Sequence, residues 1–317
     1  MEIEYEKCRT ILQNNCYYIV FLFFSFISFA CGPYTDFDNS NYSVIEEKTF
    51  DTSPGKDFNL EAYSGDVFIT TSEGSQVRVR VLGNDRTRKR VNVEFENSDD
   101  GVNVIAKRIG GWSFFNFGSS IKLRFEITLP KNYNAKVSTS GGDIKLAYLN
   151  GKIDLRSSGG DIDISNTSGK TFVSTSGGDL SSNNSIGDME FKTSGGDVHI
   201  EKFNGNVDAS TSGGDIYLNG SNGKVRAHTS GGEIELNYTG NNYGIDLASS
   251  GGDVKAHLPL GFAADAKMYS SGGDIKCNFT TTNVQNISSN KYEALLNNGG
   301  EPLLIKSSGG DIVVSCK

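Results

Sequence analysis

The sequence predicts an all-β fold, a single-chain β-solenoid with about 18 residues and two short strands per rung, capped by an irregular β region at its N-terminal end. The main observation is a tetrapeptide, SGGD or once SGGE, whose acidic residue recurs at five steps of 18 residues and then at steps of 20, 21 and 37. A second glycine lies half-way through most periods, and apolar residues alternate with polar ones after both glycine sites. The acidic positions are Asp143, Asp161, Asp179, Asp197, Asp215, Glu233, Asp253, Asp274 and Asp311.

Each period divides into two turns and two strands. After the acidic residue, positions one and three are mostly apolar, as in Ile162 and Ile164. After the half-period glycine, positions two and four are apolar, as in Ile153 and Leu155. A period of two indicates strands with one buried face. Successive rungs should therefore pair in parallel, about 4.8 Å apart, around a shared core.

The segments outside the regular repeat have other expected roles. Residues 45–131 contain strand-like segments without the 18-residue period, including a degenerate motif (SGD) at residues 64–66. They are expected to cap the rod, since an open end would expose unpaired strand edges. Residues 132–317 are the predicted solenoid, with a polar loop insertion near residues 278–304.

The N-terminal segment predicts export. Residues 17–29 form a 13-residue apolar run, short for a bilayer span and typical of a signal-peptide core. The run ends in SFACG, which resembles the lipobox of bacterial lipoproteins. Residues 1–30 are thus predicted to be a signal peptide, Cys31 the lipidated first residue of the mature chain, and residues 31–44 a tether. A cleaved signal without lipid and an uncleaved anchor are the alternatives.

Composition and charge exclude several classes of protein. The 317 residues include 38 Gly, well below the one-third that collagen requires. The net charge of −8 provides no general basic field, so nucleic acid is not expected as a partner. After signal removal only Cys277 and Cys316 remain, too few for a disulfide framework. Both are expected to face inward as free thiols.

Three sequence features together resemble a known family. They are the strand ITLP before the repeat, the serial (S/T)SGGDI units, and the C-terminal segment GGEPLLIKSSGGDIVV. They are similar to the bacterial adhesin family of the toastrack type, over residues 45–317. The resemblance implies a repeat fold, an exported or envelope location and an adhesive role, and it brings no catalytic residues.

The column of acidic residues is the sharpest candidate site. Carboxylates 4.8 Å apart repel by about 0.9 kcal/mol in water, so something must offset that repulsion. Calcium is one candidate, and no other metal or cofactor is expected. The alternative is that each carboxylate accepts backbone N–H groups within its own turn. The candidate calcium column consists of Asp143, Asp161, Asp179, Asp197 and Asp215.

Three other features are candidates for contact. The Ser and Thr columns beside the glycines are predicted to be hydroxyl ladders along the stack, with a sugar-binding face as the alternative. The run RTRKR at residues 86–90 is predicted to be a solvated turn. The segment GGWSFFNFG is expected either to plug the end of the rod or to contact a partner, glycan or membrane. Its aromatic residues are Trp112, Phe114, Phe115 and Phe117.

The sequence contains no recognisable catalytic motif. The histidines lie at different repeat offsets, and the outward carboxylates fit a solvated face; these residues are His199, His228, His257, Asp154, Glu190, Asp208 and Asp246. We therefore predict a non-enzymatic envelope lipoprotein, an adhesin or surface scaffold at the outer membrane or cell surface. It would be attached to the membrane through Cys31 and bind an unknown protein or glycan. The alternatives are a sensing or assembly module that binds a partner protein through the cap, and a glycan-active β-helix enzyme.

Overall fold

The computed structural model of the chain describes residues 42–110 and 121–317. Strands account for nearly all regular structure in these residues. The elements before the regular repeat are β1 (Ser43–Asp51), β2 (Asp57–Ala62), β3 (Asp66–Ser72), β4 (Gln76–Gly83), α1 (Asp85–Arg90), β5 (Val91–Ser98), β6 (Gly101–Arg108) and β7 (Leu123–Pro130).

The repeat region contributes two strands per rung. Its strands are β8 (Asn134–Thr139), β9 (Ile144–Ala147), β10 (Ile153–Ser157), β11 (Ile162–Ser168), β12 (Thr171–Ser174), β13 (Leu180–Ile186), β14 (Met189–Lys192), β15 (Val198–Asn204), β16 (Val207–Ser210), β17 (Ile216–Ser221), β18 (Val225–Thr229), β19 (Ile234–Thr239), β20 (Ile245–Ser249), β21 (Val254–Leu258), β22 (Ala264–Ser270), β23 (Ile275–Cys277), β24 (Thr281–Ile287), β25 (Lys291–Leu296), β26 (Pro302–Ser307) and β27 (Ile312–Cys316).

The strands form two long sheets. Sheet A has the order β1-β4-β7-β3-β9-β11-β13-β15-β17-β19-β21-β27-β23, and sheet B has the order β24-β25-β22-β26-β20-β18-β16-β14-β12-β10-β8-β2-β6-β5. Through the regular repeat, equivalent residues 18 positions apart face each other in parallel strands, as Ile162 faces Leu180 and Leu180 faces Val198. The predicted β-solenoid is confirmed.

The alternating pattern explains where the core lies. The apolar positions of both sheets point between them, and side chains such as Phe191, Leu218 and Ile305 are fully buried there. Burying a side chain of this size contributes roughly 1.5–3 kcal/mol. Because one strand has only two or three inward positions, a rung gains most of its stability from the rungs on either side. No helix in residues 42–110 and 121–317 has the length and hydropathy to cross a membrane.

The region before the regular repeat contributes rungs of its own. Strands β2 and β3 pair in parallel with β8 and β9, and β6 and β7 pair on the far side of β2 and β3. Residues 64–66 therefore form a turn of the stack, where the Gly65 amide donates to the Gly141 carbonyl at 2.8 Å. Antiparallel β1, β4 and β5 complete this end of the two sheets. The domain boundaries remain a prediction.

The last rung does not stack in chain order, although the sequence predicts a sequential stack. Strands β26 and β27 lie between the rung β20–β21 and the rung β22–β23. After β21 the chain leaves one rung position open and forms β22 and β23, followed by β24 and β25. It then returns, and β26 and β27 occupy the open position. The backbone turns follow the same order, because the Asp311 amide donates to Asp253 and the Asp274 amide donates to Asp311, both at 2.8 Å.

The insertion predicted as a loop near residues 278–304 is instead a β-hairpin. Strands β24 and β25 pair antiparallel, and β25 also pairs antiparallel with β22 at the end of sheet B. Strand β25 alternates in burial, whereas β24 is mostly exposed. The side chains of Phe279, Tyr292 and Leu296 are buried against the last rung. The hairpin therefore helps to close the C-terminal end of the core.

The basic run at residues 86–90 lies in helix α1 rather than in a turn. The Asn84 side chain caps this helix by accepting a hydrogen bond from the Thr87 amide at 3.0 Å. The cap supplies an acceptor for a free amide at the start of the helix, and the basic residues of the last turn interact favourably with the negative end of the helix dipole. Both features favour a helix here. The four basic residues of the run are exposed, so the predicted solvation of the run is confirmed.

Candidate binding surfaces

The first Ser or Thr of each motif holds its turn to the neighbouring rung. In the middle of the stack, the Thr211 hydroxyl donates to the Gly196 carbonyl of the preceding rung at 2.9 Å. It accepts from the Gly214 amide of its own turn at 3.3 Å. The predicted ladder along the stack is present, but it runs through glycine carbonyls. Because this column of hydroxyls is buried, it offers no exposed face to a sugar.

The acidic column is also a hydrogen-bonded ladder. The Asp161 carboxylate accepts the amide of Asp179 at 2.8 Å, and Asp179 accepts the amide of Asp197 at the same distance. The sequence-based alternative to calcium placed these bonds within one turn, and that detail is wrong. The acceptor serves the next rung, because the Asp side chain projects along the stack and its short length just reaches the following amide.

Glu233 interrupts this ladder. Its own amide donates to Asp215 at 2.7 Å, like the other members of the column. Its longer side chain instead pairs with Lys255 in the next rung at 2.6 Å. One additional methylene group therefore replaces a backbone hydrogen bond with a side-chain ion pair.

The ladder bears on the calcium hypothesis for Asp143, Asp161, Asp179, Asp197 and Asp215. Backbone N–H groups supply positive dipole density at each carboxylate, which offsets the repulsion between neighbours. In the described part of the chain, no group of three or more His, Cys, Asp or Glu side chains is arranged to hold a metal ion. Calcium binding by this column stays a prediction.

The two glycines of the motif differ in their surroundings. A Cβ atom on Gly214 would lie 2.1 Å from the Gly196 carbonyl oxygen, far inside contact distance. A Cβ atom on Gly213 would lie 3.4 Å from the nearest atom, the Gly195 carbonyl oxygen. At this rung the close approach of the neighbouring rung therefore requires the second glycine and not the first. Later in the chain the first glycine is tight as well, since a Cβ atom on Gly251 or Gly309 would lie 2.9 Å from a carbonyl oxygen.

The outer face of sheet A is polar and irregular from rung to rung. His199 stacks on Tyr217 with ring centroids 4.6 Å apart, and its Nε2 atom lies 3.0 Å from Glu201. His257 lies further along the same face, while His228 is on sheet B. The three histidines therefore do not form one site.

The outer face of sheet B contains the four carboxylates that the sequence placed there. Each of the four lies beside a basic side chain on the same or a neighbouring strand and forms an ion pair with it. Hydrogen bonding to a carboxylate raises the pKa of Arg156 and of Lys192. The pairs are Asp154 with Arg156 at 2.8 Å, Glu190 with Lys192, and Asp208 and Asp246 with Arg226 at 3.4 and 3.9 Å.

Two shallow cavities lie along this face of sheet B. One of about 610 Å³ crosses strands β6, β2, β8 and β10, and the other of about 340 Å³ crosses β12, β14, β16 and β18. Arg156 lines the first, Phe172 lines the second, and the Arg156 guanidinium lies 4.5 Å from the Phe172 ring centroid. The two cavities share no lining residue and lie on either side of this contact along one face of the sheet; together we call them the sheet B groove.

Sequence reasoning missed a double period on the same face. Arg156, Lys192 and His228 are 36 residues apart, and Ser138, Ser174 and Ser210 have the same spacing half-way between them. The 18-residue motif conceals this pattern, since only the second of the two outward positions on each strand follows it. A search for a period of 36 among polar residues would have revealed it.

Several predicted residues lie outside the described part of the chain. These are Cys31 and the aromatic group Trp112, Phe114, Phe115 and Phe117.

The prediction that Cys277 and Cys316 are free thiols is confirmed; Cys277 faces the core as expected, whereas the inward position expected for Cys316 is wrong. Cys277 is half-buried and Cys316 is exposed, and each is the last residue of its strand in the last two rungs.

Comparison with known proteins identifies a family. A model of the family described as Toastrack DUF4097 matches residues 56–315. No curated protein matches the chain.

Similar solved structures include a proposed adhesin from Bacteroides fragilis, with 14% identity, a TM-score of 0.43, and coverage of 85% of this chain and 96% of that one. A proposed cell adhesion protein from Clostridium sporogenes has 13% identity, a TM-score of 0.25, and coverage of 86% and 99%. A proposed lipid binding protein from Parabacteroides distasonis has 12% identity, a TM-score of 0.26, and coverage of 87% and 98%. Identities and TM-scores this low give no information on function.

Proposed function

The chain belongs to the Toastrack DUF4097 family, and from this premise we propose that it is a non-enzymatic adhesin of the bacterial cell surface. In this proposal the solenoid is a rigid scaffold that holds an extended binding face away from the membrane. The function is binding, and the outer sheet faces perform it.

The supporting observation is that the polar residues of the motif bond to neighbouring rungs, whereas the polar residues of the outer sheet faces are open to solvent. The first hydroxyl of each motif and most of the motif carboxylates are used by hydrogen bonds between rungs, as Thr211 and Asp215 are. They stabilise the rod and are poorly placed to react with a substrate. The outward positions of the strands vary from rung to rung and are open to solvent, as a recognition surface requires.

Attachment to the membrane is a separate part of the proposal. The apolar run at residues 17–29 followed by Cys31 supports export and lipidation at that cysteine. A lipid at Cys31, with residues 32–41 as a spacer, would tether the solenoid to the envelope. Metabolic labelling with a fatty acid tests this, since a Cys31→Ala variant should lose the label. Equal labelling of both proteins would contradict it.

The adhesive function can be tested on cells that display the full chain. These cells should bind glycan-coated or matrix-protein-coated surfaces more strongly than cells without the protein. A variant with one deleted rung, residues 180–197, should keep part of this binding, because an extended face loses contacts gradually. Equal binding by displaying and non-displaying cells would refute the adhesin proposal.

A further inference from the structure

The sheet B groove lies along a row of regularly spaced outward side chains, and this spacing points to a particular ligand class. We propose that the groove binds a linear, uncharged, β-linked polysaccharide lying parallel to the axis of the rod. This inference rests on the proposed adhesive function and names the ligand class for it.

The first argument is spacing. One outward position of sheet B alternates between basic and small or neutral side chains over ten neighbouring strands, a set we call the basic row. Parallel strands lie about 4.8 Å apart, so its basic side chains recur about every 9.6 Å, similar to the length of one extended disaccharide. In spatial order the row is Ser138, Arg156, Ser174, Lys192, Ser210, His228, Ala248, Lys306, Tyr269 and Lys291.

The second argument is shape. Ser138 and Arg156 of the basic row line the first cavity, while the second cavity lies beside the row, over the outward positions that precede it by two residues, such as Phe172. The two cavities together cross eight neighbouring strands, β6 to β18. Seven intervals of about 4.8 Å give the groove a length of about 34 Å, enough for several sugar units. The half-buried Phe172 ring lines the groove near its middle, with the exposed Arg156 guanidinium 4.5 Å from its centroid, and the C–H face of a sugar ring would displace that cation from the ring.

The third argument is charge. Arg156, Lys192 and Lys291 each pair with a carboxylate on the same strand, so the basic row has little net charge to attract a polyanion. Exposed ion pairs contribute only about 0–1 kcal/mol and are easily rearranged. Their carboxylates accept hydrogen bonds and their basic groups donate them, which suits the hydroxyl groups of an uncharged sugar.

The outer face of sheet A provides an internal comparison. Its equivalent positions show no alternation along the stack, as Ser165, Asn183, Glu201 and Asn219 illustrate. A ligand that matches a two-rung period is therefore expected on sheet B only.

The first experiment measures binding of defined hexasaccharides to the full chain. The probes are β1,4-linked glucose and β1,4-linked N-acetylglucosamine, with α1,4-linked glucose as the geometric control and β-linked uronic acid as the charged one. The uncharged β-linked probes should bind, and their affinity should stay unchanged as ionic strength rises from about 0.05 to 0.5 M, because screening weakens only charge–charge attraction. Salt-sensitive binding of the uronic acid probe alone would overturn the assignment to uncharged sugars.

Substitutions then locate the site. Phe172→Ala should weaken binding of the β-linked probes about tenfold, as loss of one aromatic contact does. Tyr217→Ala, on the outer face of sheet A, is the matched control and should leave affinity unchanged. Unchanged melting temperatures would show that both variants fold. Equal affinities of the two variants would place the sugar elsewhere and overturn the inference.

Rung deletions test the spacing directly. Deleting residues 180–197 removes one rung and leaves Ser174 beside Ser210, which breaks the alternation. Deleting residues 180–215 removes two rungs and places Ser174 beside His228, which preserves it. The longer deletion should therefore retain more affinity for the β-linked probes than the shorter one. The reverse order, or equal affinities, would refute a two-rung repeat.

These measurements separate the inference from the adhesin proposal. Adhesion by displaying cells without any binding of the β-linked probes would overturn the sugar assignment and leave adhesion intact. Binding of the probes without adhesion would support the sugar assignment and refute the adhesin proposal. Adhesion that the β-linked hexasaccharides compete away is the expected result.

Discussion

Replacement of the second glycine of a motif by alanine should destabilise the rod far more than replacement of the first. The Cβ atom of Gly214→Ala would lie 2.1 Å from the Gly196 carbonyl oxygen, so two rungs must separate by about an ångström to reach normal contact. Forced overpacking of this kind costs about 1–3 kcal/mol. The Thr211–Gly196 hydrogen bond at 2.9 Å would lengthen as well, adding up to about 1 kcal/mol.

Gly213→Ala is the matched control, because its Cβ atom would make only a 3.4 Å contact. We expect a loss of about 2–4 kcal/mol for Gly214→Ala and less than about 0.5 kcal/mol for Gly213→Ala. Thermal unfolding followed by far-ultraviolet circular dichroism measures both, and about 2–4 °C of melting temperature corresponds to each kcal/mol in a chain of this size. Equal losses in melting temperature would refute the claim that the second glycine alone meets the neighbouring rung.

Three further predictions concern the ladders and the cysteine. Glu233→Asp should raise the melting temperature by restoring the bond to the Asp253 amide, since a hydrogen bond to a charged group contributes about 1.5–3 kcal/mol, against about 0–1 kcal/mol for the lost ion pair; a lower melting temperature would contradict this. Thr211→Val should lower the free energy of unfolding, measured by chemical denaturation, by about 1–3 kcal/mol, because the Gly196 carbonyl and the Gly214 amide lose their hydrogen-bond partner. Ser212→Ala, at the exposed serine that follows, is the control and should leave the free energy of unfolding nearly unchanged. Burial raises the pKa of the Cys277 thiol, so less thiolate is present at pH 8 and iodoacetamide should label it slowly until the chain unfolds; equal labelling rates in native and unfolded protein would contradict this.

The sequence was sufficient to predict the fold because every rung repeats the same local chemistry. The glycine spacing fixes which residues face each other, and the apolar alternation at pairs such as Ile162 and Ile164 fixes which face is buried. Both signals act over a few residues, so they can be recognised without knowing the stacking order.

The stacking order itself was not predictable for the same reason. Rungs with equivalent motifs can pair with one another in several orders, and nothing local distinguishes Asp253–Asp311 from Asp253–Asp274 as neighbours. The hairpin was missed because β24 is exposed on both faces, so it has no apolar alternation to indicate a strand.

The candidate site was only partly predictable. The outward carboxylates were recognised, but the alternation of basic and small side chains on sheet B was not, because the dominant 18-residue motif conceals a period of 36 residues. The partner of each motif carboxylate was wrong because an Asp side chain can reach an amide of its own turn or of the next rung equally well, and sequence spacing does not separate the two.

The out-of-order position of β26 and β27 affects how the protein is completed. The chain is made from its N-terminus, so β20 and β22 both keep an unpaired edge until the final segment has been synthesised. A truncation that removes β26 and β27 therefore removes a rung from within the stack and leaves a gap between β20–β21 and β22–β23. An equivalent rung from another copy of the chain can pair with the two unpaired edges of this gap. Molecules that lack only the C-terminal rung are therefore the most prone to exchange strands with one another. The segment that forms β26 and β27 is therefore a condition for a continuous stack.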